Sequence, residues 1–245
     1  MTALCLLHGF TGSPKSFAAV LEGLKRPALT PPLLGHSGAP ASAETCMFEQ
    51  EVDRLAALAA TWAPLTLVGY SLGARLALGL TLRHPALVAS LLLISGQPGL
   101  TTSEEREARV QADRRWQTLL EQRGLEAFVT AWQAEPIWSS QALLPLELRE
   151  RKRHERLSHD PLGLARSLEV TGLGRMPSYR EHLSEVRVPV CLVAGALDAK
   201  FCALAGEMAG ALPRAQVVCA PDAGHDLLLE RPDLITELLA KEPFI

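Results

Sequence analysis

A serine stands between two glycines in Gly69-Tyr70-Ser71-Leu72-Gly73, directly after the apolar run 65–68 and directly before a stretch with helical spacing. A strand, a sharp turn and a helix would expose that hydroxyl at the tip, and glycines must flank it where the turn brings backbones too close for side chains. The plainer reading is a serine that caps a helix; the strand before it favours the reactive one. A serine hydroxyl alone is a poor nucleophile and a poor base. It needs an imidazole within hydrogen-bond reach and a carboxylate that fixes the imidazole tautomer. In the chain order serine, acid, histidine, the candidates are Asp198, which follows the run 190–197 at a strand's carboxyl end, and His225 in Asp222-Ala223-Gly224-His225. Asp222 is the competing acid, although three residues before the histidine it is better placed to shape the loop than to orient the ring. The other histidines (His8, His36, His84, His154, His159 and His182) fall too early, at helix ends or in a long charged stretch, and exposure is the expectation for most of them. Developing negative charge on oxygen would need two backbone N–H donors. Leu72, after the serine, supplies one, and Phe10, in the turn His8-Gly9-Phe10-Thr11-Gly12, is placed to supply the other.

These residues need elements to carry them. Unalternating runs rich in Leu, Val and Ile recur at 3–7, 65–68, 89–94, 188–194 and 216–219, the pattern of parallel strands buried on both faces. Segments with helical spacing at 16–24, 48–61, 72–83, 201–212 and 232–241 lie between or after them, which gives β/α alternation and an α/β domain with a mostly parallel sheet flanked by helices. Ligands in such sheets bind outside the strands' carboxyl ends, where both Asp198 and His225 are expected. The Pro-rich piece 26–40 reads as a loop with a short strand at its start. The stretch 97–187 interrupts the alternation: it is dense in Arg and Glu, holds Trp116, Trp132 and Trp138, and shows helical spacing without a convincing strand. It reads as a helical cap insertion, with 1–96 and 188–245 forming the core.

The chain's 245 residues, 48% hydrophobic, suffice for one sizeable core. A formal net charge of -3 offers no basic field for nucleic acid, and no apolar run approaches the roughly 20 residues a membrane span needs. The amino terminus runs straight into a strand without the layout of a signal peptide. The expectations are therefore a cytoplasmic address, a small anionic substrate, no nucleic acid, no membrane, and a monomer or small homo-oligomer. The five cysteines, Cys5, Cys46, Cys191, Cys202 and Cys219, form no CxxC pair and are expected to be reduced core residues. No cofactor and no metal is expected.

At the serine, the acid and the histidine the sequence resembles the α/β-hydrolase superfamily over nearly its whole length. Within it, the chain is similar to the 2-succinyl-6-hydroxy-2,4-cyclohexadiene-1-carboxylate synthases of menaquinone biosynthesis, the MenH family. The phrases that carry the likeness are Leu7-His8-Gly9-Phe10-Thr11-Gly12-Ser13, Val68-Gly69-Tyr70-Ser71-Leu72-Gly73-Ala74-Arg75, Ser95-Gly96-Gln97-Pro98-Gly99-Leu100, Gly195-Ala196-Leu197-Asp198-Ala199-Lys200-Phe201 and Ala223-Gly224-His225. Two departures stand beside them: no opening hairpin precedes the first strand, and Pro31-Pro32-Leu33-Leu34-Gly35-His36-Ser37 lacks the usual acidic start. The resemblance implies the α/β-hydrolase fold and a lyase that eliminates pyruvate from an enolpyruvyl cyclohexene carboxylate after proton abstraction. It also implies that Tyr70, Arg75, Arg114, Trp132 and Arg156 bind substrate, with Arg115 in place of Arg114 if the register differs by one. Independently, a tricarboxylate substrate calls for arginine forks, and Arg75 lies one helical turn after Ser71. For each arginine the alternative is a solvated helix face paired with glutamates. A serine esterase or C-C bond hydrolase is the competing activity, and a ligand-sensing module on the same fold the competing class.

Overall fold

The computed structural model describes residues 2–38 and 45–241; the end of the expected 26–40 loop and the chain's two extremities lie outside them. Six parallel strands, β1 (Ala3–Leu7), β2 (Ala28–Leu29), β3 (Leu65–Tyr70), β4 (Val88–Ile94), β5 (Val190–Gly195) and β6 (Ala215–Ala220), form one sheet in the order β2-β1-β3-β4-β5-β6. Parallel neighbours require crossovers. These are α1 (Ala18–Leu24), α2 (Phe48–Ala59), α3 (Leu72–Arg83) and α7 (Ala199–Ala211), with α8 (Leu227–Glu230) and α9 (Pro232–Ala240) closing the chain. Every residue of β3 and β5 is buried, as their unbroken apolar runs demand. β6 departs from that expectation. It is the edge strand, and Val217 and Cys219 are exposed.

Two apolar layers sandwich the sheet. Leu67, Leu91 and Leu192 face α2 and α3, whereas Val68, Leu92 and Val193 face α1 and α9. Between β4 and β5 the chain forms α4 (Ser103–Gln133), α5 (Leu146–Leu157) and α6 (Pro161–Thr171). α4 starts at a Thr102 cap, whose hydroxyl accepts from the Glu105 N–H, and bends at Gly124, which has a φ of 74°. Its own apolar cluster, Leu120, Phe128 and Val129, packs on Leu164 and Leu168 of α6.

The cysteines do not all stay reduced. Cys202 of α7 is paired with Cys219 of β6, with Cα atoms 6.2 Å apart. Cys5 and Cys191 are buried free thiols, and Cys46 is exposed. The expectation of five reduced core cysteines fails because α7 crosses directly over the edge strand and brings two side chains, 17 positions apart in sequence, onto one line.

Candidate active site

Ser71 lies at the tip between β3 and α3 with φ 52° and ψ -105°, a region that residues with a side chain rarely occupy. The turn is locked from both sides. A Cβ on Gly69 would stand 2.3 Å from the Gly73 carbonyl oxygen, and one on Gly73 would stand 2.0 Å from that of Leu7. The Ser71 N–H donates to the Ile94 carbonyl at 2.9 Å, which fixes the tip against β4. His225 Nε2 lies 3.0 Å from Ser71 Oγ, and His225 Nδ1 lies 2.8 Å from Asp198 Oδ2. Asp222 is exposed at a turn with a φ of 56°, so Asp198 is the carboxylate on the imidazole.

The acid and histidine loops are in backbone contact. A Cβ on Gly195 would stand 2.1 Å from the Gly224 carbonyl oxygen, and the Leu197 N–H donates to the Ala223 carbonyl at 2.9 Å. Ser95 Oγ donates to the carbonyl of His225 at 2.9 Å. Phe201 packs edge-on to the imidazole, with centroids 4.6 Å apart.

The cavity above Ser71 is lined by Phe10, Leu72, Arg75, Trp132 and His225, with Tyr70 beside them. The turn that carries Phe10 is pressed on the serine strand: a Cβ on Gly9 would stand 2.8 Å from the Tyr70 ring. The N–H of Leu72, at the first position of α3, has no partner within its own helix, so it is free to meet an anionic oxygen.

Against the expectation of exposure for most of the other histidines, His8, His36 and His159 are buried. Their rings form a ladder with steps of 5.1 and 5.3 Å. His8 Nε2 accepts from the Leu33 N–H at 3.2 Å, His36 Nε2 accepts from the Thr11 N–H at 3.1 Å, and His159 Nε2 meets the Thr11 carbonyl at 3.1 Å. The ladder ties the Phe10 turn to the 33–37 loop and to the chain between α5 and α6. Burial pushes the His8 imidazole down to about 4, and burial likewise lowers His36 and His159.

The arginines divide. Arg75, 9% exposed, donates through Nη1 to the Thr171 carbonyl of α6 at 2.8 Å and lines the cavity. Burial and the neighbouring Arg109 lower it to about 9, with Asp113 opposing them. Arg114 lies elsewhere. It is exposed and borders a separate small recess with Val110 and Gln117, because five residues along α4 turn it roughly 140° round the helix from Arg109, which reaches the cavity. Arg115, the register alternative, is exposed as well and does not line the cavity. Arg109, which the sequence reading passed over, lines the cavity and pairs with Asp113 at 2.8 Å. The signal that could have found it is its spacing: Asp113 four residues on is a buried carboxylate, and such a group needs a partner. Arg156 is fully buried but stacks behind the cavity wall, 4.9 Å over the Trp138 ring. Gln97 and Trp138 also line the cavity.

The Alpha/beta hydrolase family profile matches residues 6–238. A Bacillus subtilis (strain 168) relative, provisionally named a 2-succinyl-6-hydroxy-2,4-cyclohexadiene-1-carboxylate synthase, is 36% identical over 98% of this chain and 89% of its own. The protein of that name from Enterobacter sp. (strain 638) is 31% identical over 97% of this chain and 90% of its own. Among solved structures, MenH from S. aureus superposes with a TM-score of 0.93 at 28% identity, covering 98% of this chain and 92% of that one. A thermophilic esterase from Thermogutta terrifontis reaches 0.83 at 23% identity, over 98% and 89% of the two chains, a likeness of fold alone. The chain belongs to the α/β-hydrolase family, in the branch that holds these synthases.

Proposed function

We propose that this chain is a lyase that eliminates pyruvate from 2-succinyl-5-enolpyruvyl-6-hydroxy-3-cyclohexene-1-carboxylate to give 2-succinyl-6-hydroxy-2,4-cyclohexadiene-1-carboxylate. The relatives' names supply the reaction, and the observation that carries it to this pocket is the pair Arg75 and Arg109. Two guanidinium groups, one from the core and one from the cap, lie close enough for one to lower the other's pKa in the cavity that holds Ser71 and His225. Asp113 offsets one of the two charges, and a carboxylate of the tricarboxylate substrate would offset the other.

In this reading His225, held in one tautomer by Asp198, draws the proton from Ser71 Oγ as that oxygen takes a proton from substrate carbon. The electron pair of the broken C–H bond forms a ring double bond at that carbon, the double bond already in the ring shifts by one position to C5, and the C–O bond to the enolpyruvyl group breaks. The departing enolate takes up a proton and leaves as pyruvate. The N–H groups of Phe10 and Leu72 hold the enolate-like oxygen that develops next to the deprotonated carbon. Arg75 and Arg109 meet carboxylates directly, Tyr70 and Trp132 shape the wall, and Arg156 adds its charge from behind Trp138. Residues 97–187 form the cap over a core of 1–96 and 188–245. Among the described residues no helix is long and apolar enough to cross a membrane.

The test compares pyruvate release from the enolpyruvyl substrate with hydrolysis of simple aryl esters by one preparation. Pyruvate release should exceed ester hydrolysis by at least about a hundredfold in kcat/KM, since an uncharged ester engages neither arginine. Efficient ester turnover without pyruvate release would assign the chain to the esterases.

A further inference from the structure

The turn that carries Phe10 is held peptide by peptide. The Gly9 carbonyl accepts from the Gly12 N–H at 3.0 Å and lies 2.8 Å from His8 Nδ1. That nitrogen carries the hydrogen, because His8 Nε2 already accepts from Leu33. The Thr11 N–H is spent on His36 Nε2, and the Ser13 N–H on the Ser16 hydroxyl at 3.1 Å. Of the amides in this turn, that of Phe10 has no partner among the described residues. A trans peptide points its N–H opposite its C=O, so whatever fixes the Gly9 carbonyl also fixes the direction of the Phe10 N–H.

The last hold comes from the cap. His159, 6% exposed between α5 and α6, meets the Thr11 carbonyl with Nε2 at 3.1 Å and accepts from the Ser37 N–H with Nδ1 at 3.4 Å. Its tautomer follows: Nδ1 is the acceptor, so Nε2 carries the hydrogen and donates to Thr11. Burial favours that neutral ring. Thr11 itself has a φ of 62°, a left-handed conformation that a β-branched residue keeps only where its surroundings impose it. From His159 a line of polar groups runs back through two peptides: ring N–H to the Thr11 carbonyl, Gly12 N–H to the Gly9 carbonyl, and the Phe10 N–H at its open end. Each hydrogen bond in such a line polarises the next.

We propose that His159 is a positioning residue: from the cap it aims and polarises the Phe10 N–H as an oxyanion donor, so that the oxyanion site is complete only with the cap in place. The inference rests on the reading that Phe10 and Leu72 hold the developing negative charge. His159 does not line the cavity, so its effect on a bound oxygen passes through the Thr11 peptide.

The experiment separates the two ends of the ring. In His159→Gln the side-chain amide can still donate to the Thr11 carbonyl, in His159→Asn it reaches only the Ser37 N–H, and His159→Leu does neither. For pyruvate release, kcat should fall by at least about tenfold in the Leu and Asn variants, with KM within about threefold of the native chain, and should return to within about threefold in the Gln variant. Recovery in Asn but not in Gln would show that His159 serves only the Ser37 loop. That result, a loss confined to KM, or any other order of the variants overturns the proposal. If His159→Leu does not fold, the Gln and Asn variants decide by the same order. Should the native chain release no pyruvate, the functional reading fails by itself, and binding of phenylboronate decides on His159 without turnover. The Ser71 oxygen adds to its boron as the hydroxyl proton passes to His225, which leaves a tetrahedral anion at the oxyanion site. Calorimetric affinity should fall by at least about tenfold in the Leu and Asn variants and return in Gln. Any other order, or no binding by the native chain, overturns the proposal.

Discussion

The sheet and the cap seam are both buried, and they are buried by different physics. β3 and β5 contribute mostly apolar positions to the interior, where burial is non-directional and worth about 25 cal/mol per Å², and the buried Thr66 hydroxyl meets that of Ser90 at 2.9 Å. The seam under the cap buries Arg156, Lys152, Asp113, Gln141 and His159, groups that stabilise only when partnered in the right geometry. The sheet therefore holds Ser71, His225 and Asp198 mainly through apolar burial, while the buried charges of the seam depend on their protonation and their partners.

The comparison breaks most sharply at the serine. Ser71→Ala should lower kcat/KM by about 10^4-fold and leave the melting temperature within about 2 °C, because the removed oxygen contributes no packing to the sheet. Adding His225→Ala should cost scarcely more. Asp198→Asn should cost up to about 10^4-fold and Asp222→Asn far less, since only Asp198 holds the imidazole tautomer. Kinetics on circular-dichroism-verified variants decide this; the reverse order of the two aspartates would move the acid to Asp222.

Acid should loosen the seam before the sheet. His8 is held near 4 in the fold against an ordinary 6.5, so the native state binds its neutral form. That contribution is present in full above about 6.5, falls as the pH drops toward 4, and amounts to about 3 kcal/mol for this group. His36 and His159 are lowered in the same direction. Hydrogen exchange followed from pH 7 to pH 4 should show the amides of Thr11, Leu33 and Ser37 losing protection ahead of those in β3. Simultaneous loss would mean that cap and sheet unfold as one.

The smallest of these effects reads the charge of the ligand. Arg75→Ala or Arg109→Ala should reduce pyruvate release by more than about tenfold through KM, Arg75→Lys should recover part of the loss, and Arg114→Ala should change it less than about twofold, as a solvated side chain does. Side activity on a neutral ester should be unmoved by all four. Equal losses on both substrates would show that Arg75 holds α6 through the Thr171 carbonyl and does not read the ligand.

Core and cap were also unequally legible in the sequence. The triad could be found because its context is local: a strand of six buried residues, Leu65–Tyr70, delivers Ser71, and two further strand ends deliver Asp198 and His225 in a fixed chain order. The cap offered no such context. α4 has no pronounced apolar face and bends at Gly124, so nothing local distinguishes the facing of Arg109 from that of Arg114. The histidine ladder was hidden for the same reason, since it joins segments far apart in the chain, His8 with His36 and His159; the Cys202–Cys219 pair joins consecutive elements, and only the crossing of α7 over the edge strand sets it. Long-range partnering of polar groups leaves no periodic trace, whereas burial of a strand does.

The contact between Gly195 and the Gly224 carbonyl makes the acid loop and the histidine loop one transplantable part. Exchanging either loop alone with that of a related enzyme would set two backbones on incompatible paths at a point with no side chain to yield. Exchanging both together, with Ser95 retained to receive the new histidine, would preserve the spacing. Diversification of this site by recombination is thereby channelled: crossovers are tolerated before β5 or after α8, and residues 190–230 between them travel as a block, leaving the stretch between β4 and β5 as the region free to change what the pocket accepts.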